Sequence, residues 1–208
     1  NSEKIIAYRD QQKMAVGSAF KLHILKTLYR EIENSEKNWH DIIELNEENR
    51  SLPTGILQDW PVGTPVTLKS LSTLMISQSD NTATDHIIDY LSRGKIESGL
   101  SEENIPFLKT REFFILKFSP DKEMQNRYIK ASLEEKRRIL KELSIDNLEN
   151  IKVGDKPVLI DKLEWFFSTE ELARLIYQLK DTEEIKINPG KKKKKNYYLA
   201  GYKGGSEP

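Results

Sequence analysis

Apolar residues fall along this chain in helical stripes separated by polar or Gly/Pro-rich connections. Lys4-Ile5-Ile6-Ala7-Tyr8, followed by Arg9 to Gln12, predicts a short strand and a polar turn. Leu22, Ile24, Leu25, Leu28, Tyr29 and Ile32 then recur at helical spacing after Phe20. Ile42 to Leu45 predicts a short strand, and Ser51 to Pro65, dense in Pro and Gly, an ordered irregular connection. Thr67 is placed to cap a helix over Leu68 to Ser77, with Leu68, Leu71, Leu74, Met75 and Ile76 on its inner side. A second helix is expected over Thr82 to Leu91, and a charge-dense helical region over Asp121 to Leu148. Ser168-Thr169-Glu170-Glu171 has the outline of a capping box for a helix ending at Leu179. Thr182 to Pro189 is expected to be irregular, and Asn196 to Ser206, rich in aromatics, to form a strand.

Composition narrows the classes of function. Of 208 residues, 37% are apolar and 32% charged, with 33 Lys+Arg balancing 33 Asp+Glu. That balance argues against a nucleic-acid or membrane-surface partner, and the Lys191 to Lys195 run is best explained as a solvated loop or hairpin tip. The absence of cysteine excludes disulfides, thiolate metal sites and cysteine nucleophiles, and three scattered histidines make a metal cage unexpected. His23 and His86 are expected to be structural. No apolar run approaches the roughly 20 residues of a membrane-spanning helix, and no cofactor is called for. The chain opens in what looks like mid-strand, as it would if an export signal had been removed.

The candidate chemistry begins at Ala15-Val16-Gly17-Ser18-Ala19-Phe20-Lys21. Residues three apart share a helix face, so the Ser18 hydroxyl and the Lys21 amine can meet. Serine needs a neighbouring base to act as a nucleophile, and a partly desolvated lysine supplies one. Alone, the pair is also what a helix start with a solvated lysine looks like. Ser79-Asp80-Asn81 between two apolar helices is either a capped turn or a polar loop facing a cleft beside Ser18. Arg111-Glu112, framed by apolar residues, is an internal ion pair, a helix-start charge, or a general base lining a site. In Lys203-Gly204-Gly205-Ser206 the glycines imply close approach to the backbone, and the lysine offers charge to an anion.

Taken in order, Ser18-Ala19-Phe20-Lys21, Ser79-Asp80-Asn81 and Lys203-Gly204-Gly205 resemble the Ser-x-x-Lys, Ser-Asp-Asn and Lys-Thr-Gly motifs of class A β-lactamases and penicillin-binding proteins. The likeness runs from about Lys4 to the C-terminus. It implies an α+β fold of the β-lactamase/DD-peptidase type. An antiparallel sheet part (residues 1–17 and 183–208) would carry the Lys203 strand, with a mostly helical part (18–182) inserted into it. It also implies roles: Ser18 as acylated nucleophile, Lys21 as its base, Ser79 as proton shuttle, Asn81 orienting a substrate amide and Lys203 attracting a carboxylate. The backbone N–H groups of Ser18 and Ser206, beside Gly205, would form an oxyanion hole.

The likeness has three departures. Gly204 stands where the family usually has Thr or Ser, which removes a hydroxyl that would help bind a carboxylate. No Glu-x-x-Leu-Asn segment is found, leaving Glu112 as the expected deacylation base. The family fold needs further elements beyond both ends, expected to lie outside these 208 residues or to come from a second chain. The expected activity is acyl transfer from a β-lactam or a related amide or ester. The alternatives are a D-alanyl-D-alanine peptidase acting on peptidoglycan stems, a slow esterase, and a catalytically silent scaffold. The likeness further implies an exported protein, since such substrates are met outside the cytoplasm.

Overall fold

The computed structural model describes residues 7–35, 37–143, 148, 151–154, 157–188 and 201–205. The expected strand at Lys4 falls largely outside these residues, as do the lysine run, Asn196 to Ala200 and Ser206.

A two-residue strand, β1 (Met14–Ala15), leads through a tight 3₁₀ turn, Gly17–Phe20, into α1 (Lys21–Asn34). The stripe read from sequence packs inward: Leu22, Ile24, Leu25 and Leu28 are buried, with Tyr29 and Ile32 partly so. β2 (Ile42–Glu44) pairs antiparallel with β3 (Pro65–Thr67), in the register Ile43 opposite Val66. Thr67 caps α2 (Leu68–Ser77) by accepting from the Ser70 N–H at 3.1 Å. α3 (Asn81–Leu91) and α4 (Arg93–Glu97) follow, then α5 (Thr110–Phe118), α6 (Lys122–Lys130) and α7 (Leu133–Glu142).

β4 (Phe166–Phe167) returns to β1, with Met14 opposite Phe167 and Ala15 opposite Phe166. The predicted capping box starts α8 (Thr169–Leu179): Ser168 Oγ accepts from Glu171 N at 3.2 Å, and Glu171 Oε2 accepts from Ser168 N at 2.7 Å. One core runs from Phe20 and α1 through α2, α3 and α5 to Trp165 and α8. Its aromatic centre is Trp165, stacked on Phe20 with ring centroids 3.8 Å apart.

Two expectations about elements are corrected. Thr182 to Pro189 was expected to be irregular, yet Glu184–Ile187 form a helical turn, α9. Tertiary contacts hold this turn. The buried Glu184 carboxylate accepts from Lys69 Nζ (2.8 Å), Ser72 Oγ (3.0 Å) and Tyr29 OH (2.8 Å). Residues 201–205 were expected in a strand but join neither ladder. Their Tyr202 N–H donates instead to Ile185 O of α9 at 2.8 Å.

Both structural histidines are tied to backbone, as expected. His23 Nε2 bonds Ile96 O at 2.8 Å, and His86 bonds Thr82 O and Asn46 N. Among the described residues, no helix is long and apolar enough to cross a membrane.

Candidate active site

Ser18 lies in the 3₁₀ turn immediately before α1. Gly17 enters that turn at φ +48°, a conformation open to glycine at little cost. Gly205 packs against the same turn: a Cβ there would sit 2.1 Å from Val16 O and 2.9 Å from Ala19 N. Only a bare backbone can approach so closely, which is the reason the sequence offered for glycine after Lys203.

The second wall is the turn between α2 and α3. Ser79 takes φ +58°, rare for a residue with a side chain, and Asp80 explains why the turn holds it. The fully buried Asp80 caps α3 by accepting from Ala83 N at 2.8 Å. Its other oxygen accepts from Ile56 N (2.7 Å) and Leu57 N (3.0 Å). Gly55 leaves room for that carboxylate, since a Cβ at 55 would meet Asp80 Oδ2 at 2.2 Å. The middle residue of the motif is thus the anchor of the turn, a role its type as a cap permits.

These walls bring the amines together. Lys21 is fully buried, and its Nζ donates to Ser79 O (2.6 Å) and Asn81 Oδ1 (2.6 Å), with Ser79 Oγ 3.3 Å away. Asn81 is held in turn by its amide donating to Leu52 O at 2.9 Å. Lys203 Nζ donates to the same Ser79 Oγ at 3.0 Å and to Gly204 O at 2.6 Å. Ser79 therefore stands between two amines. Burial, and then the nearby Lys203 charge, hold the Lys21 amine well below the ordinary lysine value. Burial lowers Lys203 to about 8.

Ser18, Ser79, Asn81, Lys203 and Gly205 all line one cleft of about 700 Å³. That volume suits a small organic ligand. Phe113, Phe114, Ile151, Val153 and Trp165 give the same cleft an extended apolar lining. Sequence reasoning did not assign these residues, or Thr54 and Tyr202, to a site; their apolar or ordinary turn character matched that of core and loop.

Glu112 is not brought to this cleft, a correction to the expectation of a base lining the site. One of its oxygens accepts from Arg93 Nη2 at 2.6 Å and the other from Lys109 N at 2.8 Å, at the start of α5. The helix-start reading is the one the structure supports, with Arg93 rather than neighbouring Arg111 as ion partner. Arg111 turns away to the Glu47 and Glu48 carbonyls. Ser206 lies outside the described residues, so its expected oxyanion role stays an expectation.

Beside the cleft, Asp85 is fully buried and accepts from Thr110 N (2.6 Å) and Arg111 N (2.9 Å). Burial pushes its carboxyl up to about 6 against the pull of those N–H groups. Lys117 and Glu164 form an ion pair with both side chains inaccessible. Among the described residues there is no group of three or more His, Asp or Glu arranged to hold a metal.

A family model described as the Beta-lactamase enzyme family matches residues 1–183. The D-alanyl-D-alanine carboxypeptidase DacD from Francisella tularensis aligns over 90% of this chain and 37% of its own, at 14% identity and a TM-score of 0.52. A structure of PBP-A aligns over 84% of this chain and 50% of its own, at 17% identity and a TM-score of 0.49. A β-lactamase from Sphaerobacter thermophilus is 27% identical over 45% of this chain and 35% of its own, with a TM-score of 0.43. The carboxypeptidase likeness bears on the fold alone. The chain spans half or less of the length of each of these structures. No curated protein matches the chain.

Proposed function

Because the chain belongs to the Beta-lactamase enzyme family, a family of serine hydrolases, we propose that Ser18 is an acylated nucleophile attacking a β-lactam or a related amide or ester. The observation that carries this reading is the hydrogen-bonded line Lys21–Ser79–Lys203, whose Ser79 and Lys203 share one cleft with Ser18 while Lys21 is buried behind it. In acylation, Ser18 Oγ bonds to the carbonyl carbon and the carbon–nitrogen bond breaks. The hydroxyl proton passes to the Lys21 amine, which burial keeps a ready acceptor. Ser79, 3.3 Å from that amine, hands a proton on to the departing nitrogen. Asn81 orients the substrate amide while holding Lys21, and Lys203 attracts an anionic group. The aromatic lining from Phe113, Phe114 and Trp165 suits an apolar acyl side chain.

A second reading, a penicillin-binding D-alanyl-D-alanine peptidase, shares the nucleophile and differs in how long the acyl-enzyme lasts. The commitment of Glu112 to Arg93 and to the α5 cap favours it, since that carboxylate is not aimed at an acyl group on Ser18. By likeness to the family, the reaction belongs outside the cytoplasm. Intact-mass spectrometry during incubation with penicillin G tests the reading. A wild-type adduct equal to the ligand mass is expected, with Ser18→Ala giving none. Clearance within seconds marks a β-lactamase, and persistence over many minutes a penicillin-binding enzyme. An equal adduct on Ser18→Ala would refute the assignment.

A further inference from the structure

Gly204, beside the cleft cation Lys203, brings no side chain, yet the space a side chain would fill is occupied. A Cβ built on Gly204 would lie 2.6 Å from the hydroxyl of Tyr202 and 3.2 Å from the ring carbon bearing it. Unlike Gly205, whose Cβ would strike backbone, a Cβ on Gly204 would have this side-chain tip as its nearest neighbour. Its φ lies outside the left-handed region, so the backbone itself does not demand glycine. Tyr202 lines the same cleft as Lys203, Ser79 and Ser18. Its backbone is fixed by the bond to Ile185 O, while half of the residue remains exposed. A phenol O–H is a good donor to a carboxylate, and a donor paired with a cation recognises an anion better than the cation alone.

We propose that the Tyr202 hydroxyl is a substrate-binding group. It folds back over Gly204 and, with Lys203, clamps the carboxylate of the substrate, so that the donor comes from the residue before the lysine. Gly204 is then glycine because a larger residue would displace the phenol. The proposal rests on the reading of Ser18 as nucleophile and adds the specificity of that site for anionic ligands.

The test is the second-order rate of Ser18 acylation by penicillin G, followed by intact mass, and by the methyl ester of the same penicillin. Tyr202→Phe, which removes one oxygen at an exposed position, is expected to slow acylation by the free acid about 10-fold. Acylation by the ester should change far less. Tyr202→Ala should lose at least as much, and adding Gly204→Thr should recover most of the rate by supplying a hydroxyl in the vacated space. Unchanged rates in Tyr202→Phe, or equal losses for acid and ester, would overturn the proposal while leaving Ser18 as nucleophile. No adduct on the wild-type protein with either ligand would overturn both.

Discussion

Lys203 illustrates how a single residue ties burial to chemistry. With its amine lowered to about 8, it is charged at neutral pH and loses that charge as pH rises through about 8. The acylation rate constant for a carboxylate-bearing ligand reports the free protein, so it should fall along an upper limb centred near pH 8. Lys203→Arg, whose guanidinium stays protonated, should move that limb out of range. Stability should move the other way. The unfolded chain binds more protons between about pH 8 and 10.5, so this lysine makes folding more favourable as pH rises across that window. A flat rate profile from pH 7 to 10 in the wild-type protein would contradict the placement of the amine.

Asp80 makes a complementary case, because its three backbone partners all lie in the α3 start and the 54–57 loop. Asp80→Ala leaves those N–H groups buried without an acceptor. Chemical denaturation should show a loss of about 2–4 kcal/mol. The rate of Ser18 acylation should drop as well, since the left-handed Ser79 loses its anchor. Full stability in the variant would show that the turn is held by something else.

At the scale of elements, the site depends on a four-residue helix. α9 offers Ile185 O to Tyr202 N, and α9 itself is docked by Glu184 onto Lys69 and Ser72 of α2 and Tyr29 of α1. Glu184→Ala should cost about 2 kcal/mol, since it leaves the Tyr29 hydroxyl without its acceptor and undocks α9, while Lys69 keeps Glu183 and Ser72 keeps Lys69 O. It should also raise the ligand concentration needed for half-maximal acylation more than it lowers the limiting rate, because it loosens the segment carrying Lys203. An effect on stability alone would detach α9 from the site.

The elements also show what sequence could reveal. α2 and α8 were readable to the residue because an apolar stripe and a cap agree on where each begins. α9 was not, because its four residues have too few local bonds to form a helix alone and its anchor, Glu184, finds partners 112 and more residues away. The 201–205 segment has β-forming aromatics, but a backbone N–H turned to a helix end outweighs that preference. Glu112 was misplaced for a similar reason. A carboxylate buried at a helix start and one aimed into a cleft look alike in sequence, and the deciding cation, Arg93, is 19 residues away. By contrast, the meeting of Lys21, Ser79, Asn81 and Lys203 in one hydrogen-bonded group was legible, because three short motifs stand in a fixed order.

For the whole molecule, the account requires that segments distant in the chain build one reactive crevice. The 3₁₀ turn before α1, the α2–α3 turn and the 203–205 segment line it together, and hydrogen bonds from Lys21 and Lys203 converge on Ser79. The equal numbers of acidic and basic residues leave the chain with no formal net charge to steer an anion from a distance. Peptide mapping of the protein quenched after brief exposure to penicillin G tests this most directly. The full ligand mass is expected on the peptide containing Ser18, with its appearance slowed at least 100-fold by Lys21→Ala. Label on any other residue, or undiminished labelling of Ser18 in the Lys21→Ala variant, would contradict it.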